Sequence, residues 1–332
     1  MKILVTGGVG FIGSHTCVEL LNNDYEIVVV DNLSNSSLDV VDKIKKITNK
    51  NFSFYENDLC DKEALINIFS KEKIDAVIHF AGFKAVGESV SFPLKYYRNN
   101  LDSTLTLLEV MQQFNCKKLV FSSSATVYGN PKSLPIKEDF PLSTTNPYGT
   151  TKLMIENILN DLYISDNDWS IAILRYFNPI GGHESGLLYE NPNGIPNNLM
   201  PYIIKVANKD LPYLGVFGND YDTVDGTGVR DFIHVVDLAR GHVNAINYVL
   251  SNVGVDCYNL GTGRGTSVLE LVSVFENVNK VNIPIEIKPR RNGDIASCYA
   301  DCTKAYDVLG FKATKTIDDM CIDAYRSFKK EK

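Results

Sequence analysis

Six short runs dense in β-branched and other apolar residues recur through the first 177 positions: KILVT (2–6), EIVVVD (26–31), FSFYEND (52–58), DAVIHF (75–80), KLVFSS (118–123) and SIAILRYF (170–177). Most are nearly continuous apolar stretches, the pattern of strands covered on both faces. Segments with helical spacing lie between them. Cys17, Leu20 and Leu21 share one face in 12–21, and Leu101, Leu105, Leu108 and Met111 or Gln112 do so in 101–114. This alternation predicts an α/β fold with a doubly wound parallel sheet.

The texture changes after residue 178. Residues 178–231 are rich in Gly, Pro and Asn, as in NPIGGHESG, NPNGIPNN and FGNDYDTVDGTG, and read as loops over a smaller lobe. VVDLARGHVNAINYVL (235–250) then reads as a helix and CYNLG (257–261) as one more buried strand. The expected division is a dinucleotide-binding Rossmann domain over 1–177, rejoined by 235–262, and a smaller C-terminal α/β lobe for substrate over 178–332. A chain of 332 residues suits two units of about 150 each.

The net charge of −7 argues against a nucleic-acid or anionic-membrane binder, so an anionic ligand would need local cations. Seven cysteines, scattered and without a CxxC, fit reduced thiols in a cytoplasmic protein and no metal site. MKILVTGGVG enters a strand at once and lacks the apolar core of a signal peptide, and no apolar run is long enough to span a membrane.

Thr6-Gly-Gly-Val-Gly-Phe-Ile-Gly13 follows the first strand and opens the first helix. Gly7, Gly10 and Gly13 permit a tight turn and let backbone approach a pyrophosphate, which the helix N-terminus would then receive. The second strand ends in Asp31, 18 residues past Gly13, close to the spacing of a carboxylate that binds a ribose 2′-hydroxyl. A carboxylate there would repel a 2′-phosphate, which favours NAD over NADP. A plain βα turn followed by an ordinary strand-end acid would show the same residues.

In NPYGTTK (146–152), Asn146 can cap a helix and Pro147 can occupy its first position. Tyr148 and Lys152 then stand one turn apart. They are either a solvent-facing pair at a helix start or a phenol whose pKa an ammonium lowers towards the range of a general base. Ser124, at the end of KLVFSSSATVYG, lies where ligands bind in such sheets and could link a sugar hydroxyl to Tyr148. Three consecutive serines could instead satisfy backbone groups at the strand end.

Beyond these motifs, HFAGFKAVGESV, LRYFNPIGGHESG, GIPNNLMPY, FGNDYDTVDGTGVRDFIHVVDLA, YNLGTG and PRRNGD resemble the UDP-glucose 4-epimerases, within the extended short-chain dehydrogenase/reductases. The likeness runs from Met1 to about Thr316. It implies a reversible C4 epimerisation of UDP-glucose and UDP-galactose through a 4-keto sugar, with NAD regenerated each turn. Tyr148 would be the base, Lys152 its electrostatic partner and a ribose ligand, and Ser124 the hydroxyl partner. For the cofactor, the resemblance adds Phe11, Ile12, Asn32, Asn35 and Ser36 beside Asp31, with Asp58 and Leu59 at the adenine. Phe80, Ala81, Gly82, Lys84, Asn99, Ser122 and Phe177 would line the rest of that groove. For the substrate, Asn178 would meet the sugar with Phe177, Asn198 and Leu199 the diphosphate, and Val216 and Phe217 the uracil. Arg230 and Arg291 match diphosphate-binding arginines, and Asp294 a uridine contact. The resemblance also implies a homodimer through helices near 95–113 and 148–163.

Residue 11 is Phe where the family commonly has Tyr, which does not touch the proposed chemistry. Cys298 matches the family position that gates the sugar pocket: a small residue there leaves room for an N-acetyl group and implies activity on UDP-GlcNAc and UDP-GalNAc as well. Tyr299 is the next residue, and a shift of one position would reverse that reading. The rival chemistries are a nucleotide-sugar 4,6-dehydratase or another nucleotide-sugar enzyme of the same superfamily, a simple dehydrogenase, and a non-catalytic NAD-sensing module. Ser124-Ala125-Thr126 offers no carboxylate for a dehydratase.

Overall fold

The computed structural model describes residues 1–192, 196, 198–291 and 294–329. Six strands come first: β1 (Lys2–Thr6), β2 (Glu26–Asp31), β3 (Ser53–Glu56), β4 (Ala76–His79), β5 (Lys118–Ser124) and β6 (Ser170–Tyr176). The chain then builds β7 (Asn178–Ile180), β8 (Leu214–Phe217), β9 (Val229–Arg230) and β10 (Phe232–His234) outside that sheet before β11 (Gly254–Leu260) returns to it. The order of the seven-stranded sheet is β11-β6-β5-β4-β1-β2-β3, parallel throughout. The order reverses between β1 and β4. A doubly wound sheet opens a ligand crevice at such a switch point, outside the carboxyl ends of the strands.

Strand alternation explains the two cores. Ile3, Val5, Ile27, Val29 and Ile78 face one side, against α1 (Phe11–Asn22), α2 (Asp39–Thr48) and, later in the chain, Val235–Ser251. Leu4, Val28, Val30, Val77 and Phe121 face the other, against α3 (Lys62–Glu72), α5 (Pro93–Gln113) and α6 (Pro147–Ser165); α4 (Val86–Ser91) leads into α5. With both faces covered, both sets of side chains are mostly apolar, which is why these strands read as nearly unbroken apolar runs.

The helix expected over 101–114 begins at Pro93, two turns earlier. Pro93 supplies a first-turn residue with its φ already set. The intervening KYYRNN lacks an apolar stripe because Asn100 is buried through hydrogen bonds instead. Leu105, expected on the inward face, is 42% exposed. The strand expected over 52–58 is confined to Ser53–Glu56. Residues 178–231 are not only loops: they also hold α7 (Leu199–Ala207), whose run LMPYIIKVA is short and follows the turn-rich segment that hid it.

The remaining elements are α8 (Val235–Ser251), β12 (Thr266–Ser267), α9 (Val268–Asn279), β13 (Ile285–Lys288), β14 (Ser297–Cys298), α10 (Thr303–Leu309) and α11 (Ile317–Lys329). α8 packs along α1, while α7, α9 and α11 enclose a third core with Ile203, Val216, Phe232, Leu271 and Phe275. Among the described residues no helix is long and apolar enough to cross a membrane, and no cluster of His, Cys, Asp and Glu is placed to hold a metal. Phe275 is fully buried at the centre of the third core. Its replacement by alanine is expected to cost about 3–5 kcal/mol in urea unfolding; an unchanged midpoint would remove it from that role.

Candidate active site

The glycine loop lies at the switch point. Gly7 has φ +68°, and a Cβ there would stand 2.8 Å from the Ala81 nitrogen. A Cβ on Gly13 would stand 2.3 Å from the Gly7 carbonyl oxygen. These two positions therefore hold β1, the β4 loop and α1 closer than any side chain allows. Gly10 precedes α1 and no side chain caps that terminus, so its N–H groups and positive dipole end remain available to an anion. Phe11 and Ile12 begin the helix half-buried. This cradle fits a dinucleotide diphosphate.

Asp31 ends β2 half-buried. Its Oδ1 accepts from Leu33 N and Ser36 Oγ, both at 2.9 Å, and its Oδ2 from Val9 N at 3.3 Å. A carboxylate has about four acceptor sites, so one remains for a ribose hydroxyl. Asn32 donates to Asp58 at 2.9 Å, joining the loops after β2 and β3, while Asn35 is exposed and Leu59 buried. Burial pushes the Asp58 carboxyl up, but hydrogen bonds from Cys60 and Asn32 outweigh it and hold the pKa below the usual value.

Phe80, Ala81, Gly82 and Lys84 follow β4. Their loop is fixed by Asn100, which the sequence reading did not single out. Its Oδ1 accepts from Phe83 N (2.8 Å) and Asn99 Nδ2 (3.0 Å), and its Nδ2 donates to Phe83 O (3.1 Å) and Thr151 Oγ1 (3.0 Å). One buried amide thus ties the cofactor-side loop to α5 and α6.

Asn146 caps α6 through Gly149 N at 2.9 Å, and Pro147 lies in its first turn. Tyr148 lies close enough to Ser124 for that hydroxyl to favour the phenolate, and Ser124 Oγ accepts from Thr126 N and Oγ1 at 3.2 and 3.0 Å. Lys152 is 5% exposed; its Nζ donates to Ser122 O at 2.6 Å and lies 4.8 Å from the centre of the Phe121 ring. A solvent-facing pair is therefore excluded. The expected lowering of the Tyr148 pKa is not produced by the protein groups. Burial pushes the phenol up to about 12, and the bond with Ser124 opposes this only in part. Burial likewise lowers Lys152 to about 8, with the Glu156 carboxylate opposing. Burial is the largest influence on both groups, and the Lys152 ammonium is engaged by the Ser122 carbonyl.

Glu156 continues the same face of α6. Its Oε1 accepts from Arg175 Nε at 3.1 Å and its Oε2 from Arg175 Nη2 at 2.7 Å, and Ser123 Oγ donates to Oε1. Arg175 also donates from Nη1 to the Tyr128 hydroxyl at 2.9 Å and to Glu138 O at 3.0 Å. This buried clamp fixes α6 against β5 and β6, and with it the height of Lys152 and Tyr148 above the serines. Its signal was in the sequence: a single arginine within SIAILRYF needs a carboxylate partner, and Glu156 lies four residues past Lys152.

The other wall comes from the lobe. Asp231, fully buried, accepts at Oδ1 from Thr262 N (2.8 Å) and at Oδ2 from Gly263 N (3.0 Å) and Ala300 N (3.1 Å). Its backbone joins Asn178 N (2.9 Å) and Cys298 O (3.0 Å). Asp231 thereby sets Asn178, Arg230 and Cys298 on one frame. Cys298 packs on the cluster of Val127, Tyr128 and Phe177, beside Ala125. The Tyr299 ring instead lies against Gly265. The two neighbours thus pack differently, Cys298 on the cluster with Val127 and Phe177 and Tyr299 on Gly265. Arg230 donates to the carbonyls of Val229 and Ile295 at 2.8 and 2.9 Å, with Asp294 at 3.7 Å. The Arg291 guanidinium lies 3.8 Å from the centre of the Phe217 ring. Val216 points into the third core, so only its backbone is open to a ligand. Asn198 and Leu199 begin α7, and Asn198 Nδ2 donates to Glu190 Oε1 at 2.7 Å.

A family model described as GDP-mannose 4,6 dehydratase matches residues 4–324. The UDP-glucose 4-epimerase of Bacillus subtilis strain 168 is 61% identical over 326 residues, 98% of this chain and 96% of that one. The crystal structure of the UDP-glucose 4-epimerase from Bifidobacterium longum in complex with NAD+ and UDP superposes with a TM-score of 0.96 at 55% identity, covering 99% and 98% of the two chains. The UDP-Glc/GlcNAc 4-epimerase from Campylobacter jejuni superposes with a TM-score of 0.87 at 37% identity, covering 99% of each.

Lys152 gives a pH signature. Its folded pKa, about 8, lies below the unfolded value, so between about 8 and 10.5 the unfolded chain binds the extra proton. Its contribution to stability therefore rises with pH across that window. The difference in unfolding free energy between the parent and Lys152→Met should shift in the parent's favour from pH 8 to 10, measured by urea titration. A difference independent of pH would contradict the burial of the ammonium.

Proposed function

The chain belongs to the UDP-glucose 4-epimerase family of extended short-chain dehydrogenase/reductases, and from that premise we propose that it reversibly epimerises UDP-glucose and UDP-galactose at C4. The observation that carries the reading is that Ser124, Tyr148 and buried Lys152 gather at the end of β5, on the same carboxyl edge of the parallel sheet that bears the glycine loop after β1. NAD, when bound, accepts a hydride from C4 and returns it, so none is consumed. Gly7, Gly10, Gly13 and Asp31 would hold it, with Lys84 and Asn99 from the neighbouring loops.

Tyr148 takes the O4 proton and gives it back, with Ser124 bridging the sugar hydroxyl. Lowering the phenol from about 12 towards neutrality requires more positive charge than Lys152 supplies in the protein alone. Arg230 and Arg291 provide the cations that an acidic chain needs for a diphosphate, and Phe217 and Asp294 flank the expected uridine position. A dehydratase would need an acid beside Ser124, where Ala125 and Thr126 stand.

The Cys298 side chain is much smaller than a tyrosine at that position, which supports activity on UDP-GlcNAc and UDP-GalNAc too. The protein acts in the cytoplasm, in keeping with its seven free thiols. Leu105 on α5 and Met154 and Ile164 on α6 are exposed, which supports a homodimer through these helices. Light scattering should then give about twice 37.0 kDa; a 37.0 kDa particle refutes the dimer.

Purified protein should convert UDP-galactose and UDP-GalNAc, each resolved from its epimer by chromatography. Tyr148→Phe should slow turnover by about 10²–10⁴-fold while retaining NAD. Cys298→Tyr should lose N-acetyl turnover and keep that of UDP-galactose. Full activity in Tyr148→Phe removes the assigned base, and N-acetyl turnover in Cys298→Tyr removes the gate.

A further inference from the structure

Residues 182–189 form a small hairpin on the α1/α2 side of the sheet. Gly182 and Tyr189 bridge antiparallel, and His183 N donates to Leu188 O at 2.9 Å. Leu188 is 2% exposed and is seated in the core that holds Val9, Val41 and Ile44. The His183 ring lies 6.4 Å from that of His15 in α1, and Lys43 of α2 lies 5.5 Å from the centre of the Tyr189 ring. The hairpin is thus anchored on one face of the sheet.

Glu190 leaves that hairpin and reaches the opposite bank. Its Oε1 accepts from Lys84 Nζ at 3.4 Å, on the loop after β4 that leads to α4 and α5. The same oxygen accepts from Asn198 at 2.7 Å, at the start of α7. The carboxylate is only 10% exposed, and its Oε2 is buried without a donor among the described residues. A buried carboxylate oxygen without a donor costs about 1–3 kcal/mol. The loop after β4 that carries Lys84 also lies against the glycine loop, with Ala81 close to Gly7.

We propose that Glu190 is a positioning residue which closes the cofactor groove: its carboxylate clasps Lys84 across the mouth and thereby slows release of NAD. This rests on the cofactor reading given above. A chain that regenerates its cofactor each turn gains from such a clasp, because opening is needed for sugar exchange only on the lobe side, where Asn198 is the second donor.

The test measures loss of NAD from the loaded protein, trapped by excess NAD-consuming hydrolase. Glu190→Gln keeps the shape and removes the charge. It should release NAD about two- to fivefold faster at low salt, as for loss of a partly exposed ion pair. Turnover of UDP-galactose at saturating NAD should stay within about twofold of the parent. Raising salt from about 0.05 to 0.5 M should hasten release from the parent and not from Glu190→Gln. Equal release by the two chains overturns the clasp and leaves the epimerase reading intact. A parent that binds no NAD overturns both. Should the variant not fold, the parent decides alone: release unchanged by salt overturns the clasp.

Discussion

The buried pair of Glu156 and Arg175 sets the geometry on which the rest of the site depends. The two charges meet through parallel bonds of 3.1 and 2.7 Å, in a place where an unpaired ion would cost several kcal/mol. Each is therefore obliged to hold the other. Arg175 is carried by the sheet and Glu156 by α6, so the pair fixes how far along its axis the helix sits. Lys152 and Tyr148 lie one and two turns up the same face. Their reach to Ser122 and Ser124 follows from that register and not from their own contacts.

Within this frame, burial and charge compete. Burial disfavours the charged form of both residues, raising the phenol to about 12 and lowering the ammonium to about 8. The protein alone thus holds a protonated tyrosine beside a lysine that is still mostly charged at neutral pH. A phenol held in this way keeps its proton at neutral pH unless further positive charge lowers it. The Ser124 hydroxyl favours the phenolate and is the one protein group that acts on Tyr148 in that direction.

The lobe meets this machinery through Asp231. Its carboxylate accepts backbone N–H groups from residues 262, 263 and 300, while its own backbone bonds Asn178 and Cys298. A single buried acid therefore aligns the cation at 230 and the small side chain at 298 with the end of β6. The candidate site is built from two scaffolds, one locked by Glu156 and one by Asp231.

Local and repetitive features were decided by the sequence alone. Unbroken runs such as EIVVVD can be stable only between two covered faces, and Gly7 and Gly13 cannot be exchanged where backbones stand under 3 Å from a would-be Cβ. Asn146, Pro147 and the four-residue step from Tyr148 to Lys152 likewise fix a capped helix presenting both residues together. Long-range choices needed the fold. Nothing in the spacing says that Lys152 turns to a carbonyl, that Cys298 packs with Val127 and Phe177 while Tyr299 lies against Gly265, or that α7 lies hidden after a turn-rich stretch. Asn100 and Asp231 escaped because a polar residue reveals its purpose only through partners distant in the chain, and for Glu156 the lone arginine in SIAILRYF calls for a carboxylate without saying which. Periodicity records which face is buried; which donor meets which acceptor is set by the packing of elements that bring residues 156 and 175, or 231 and 300, into contact.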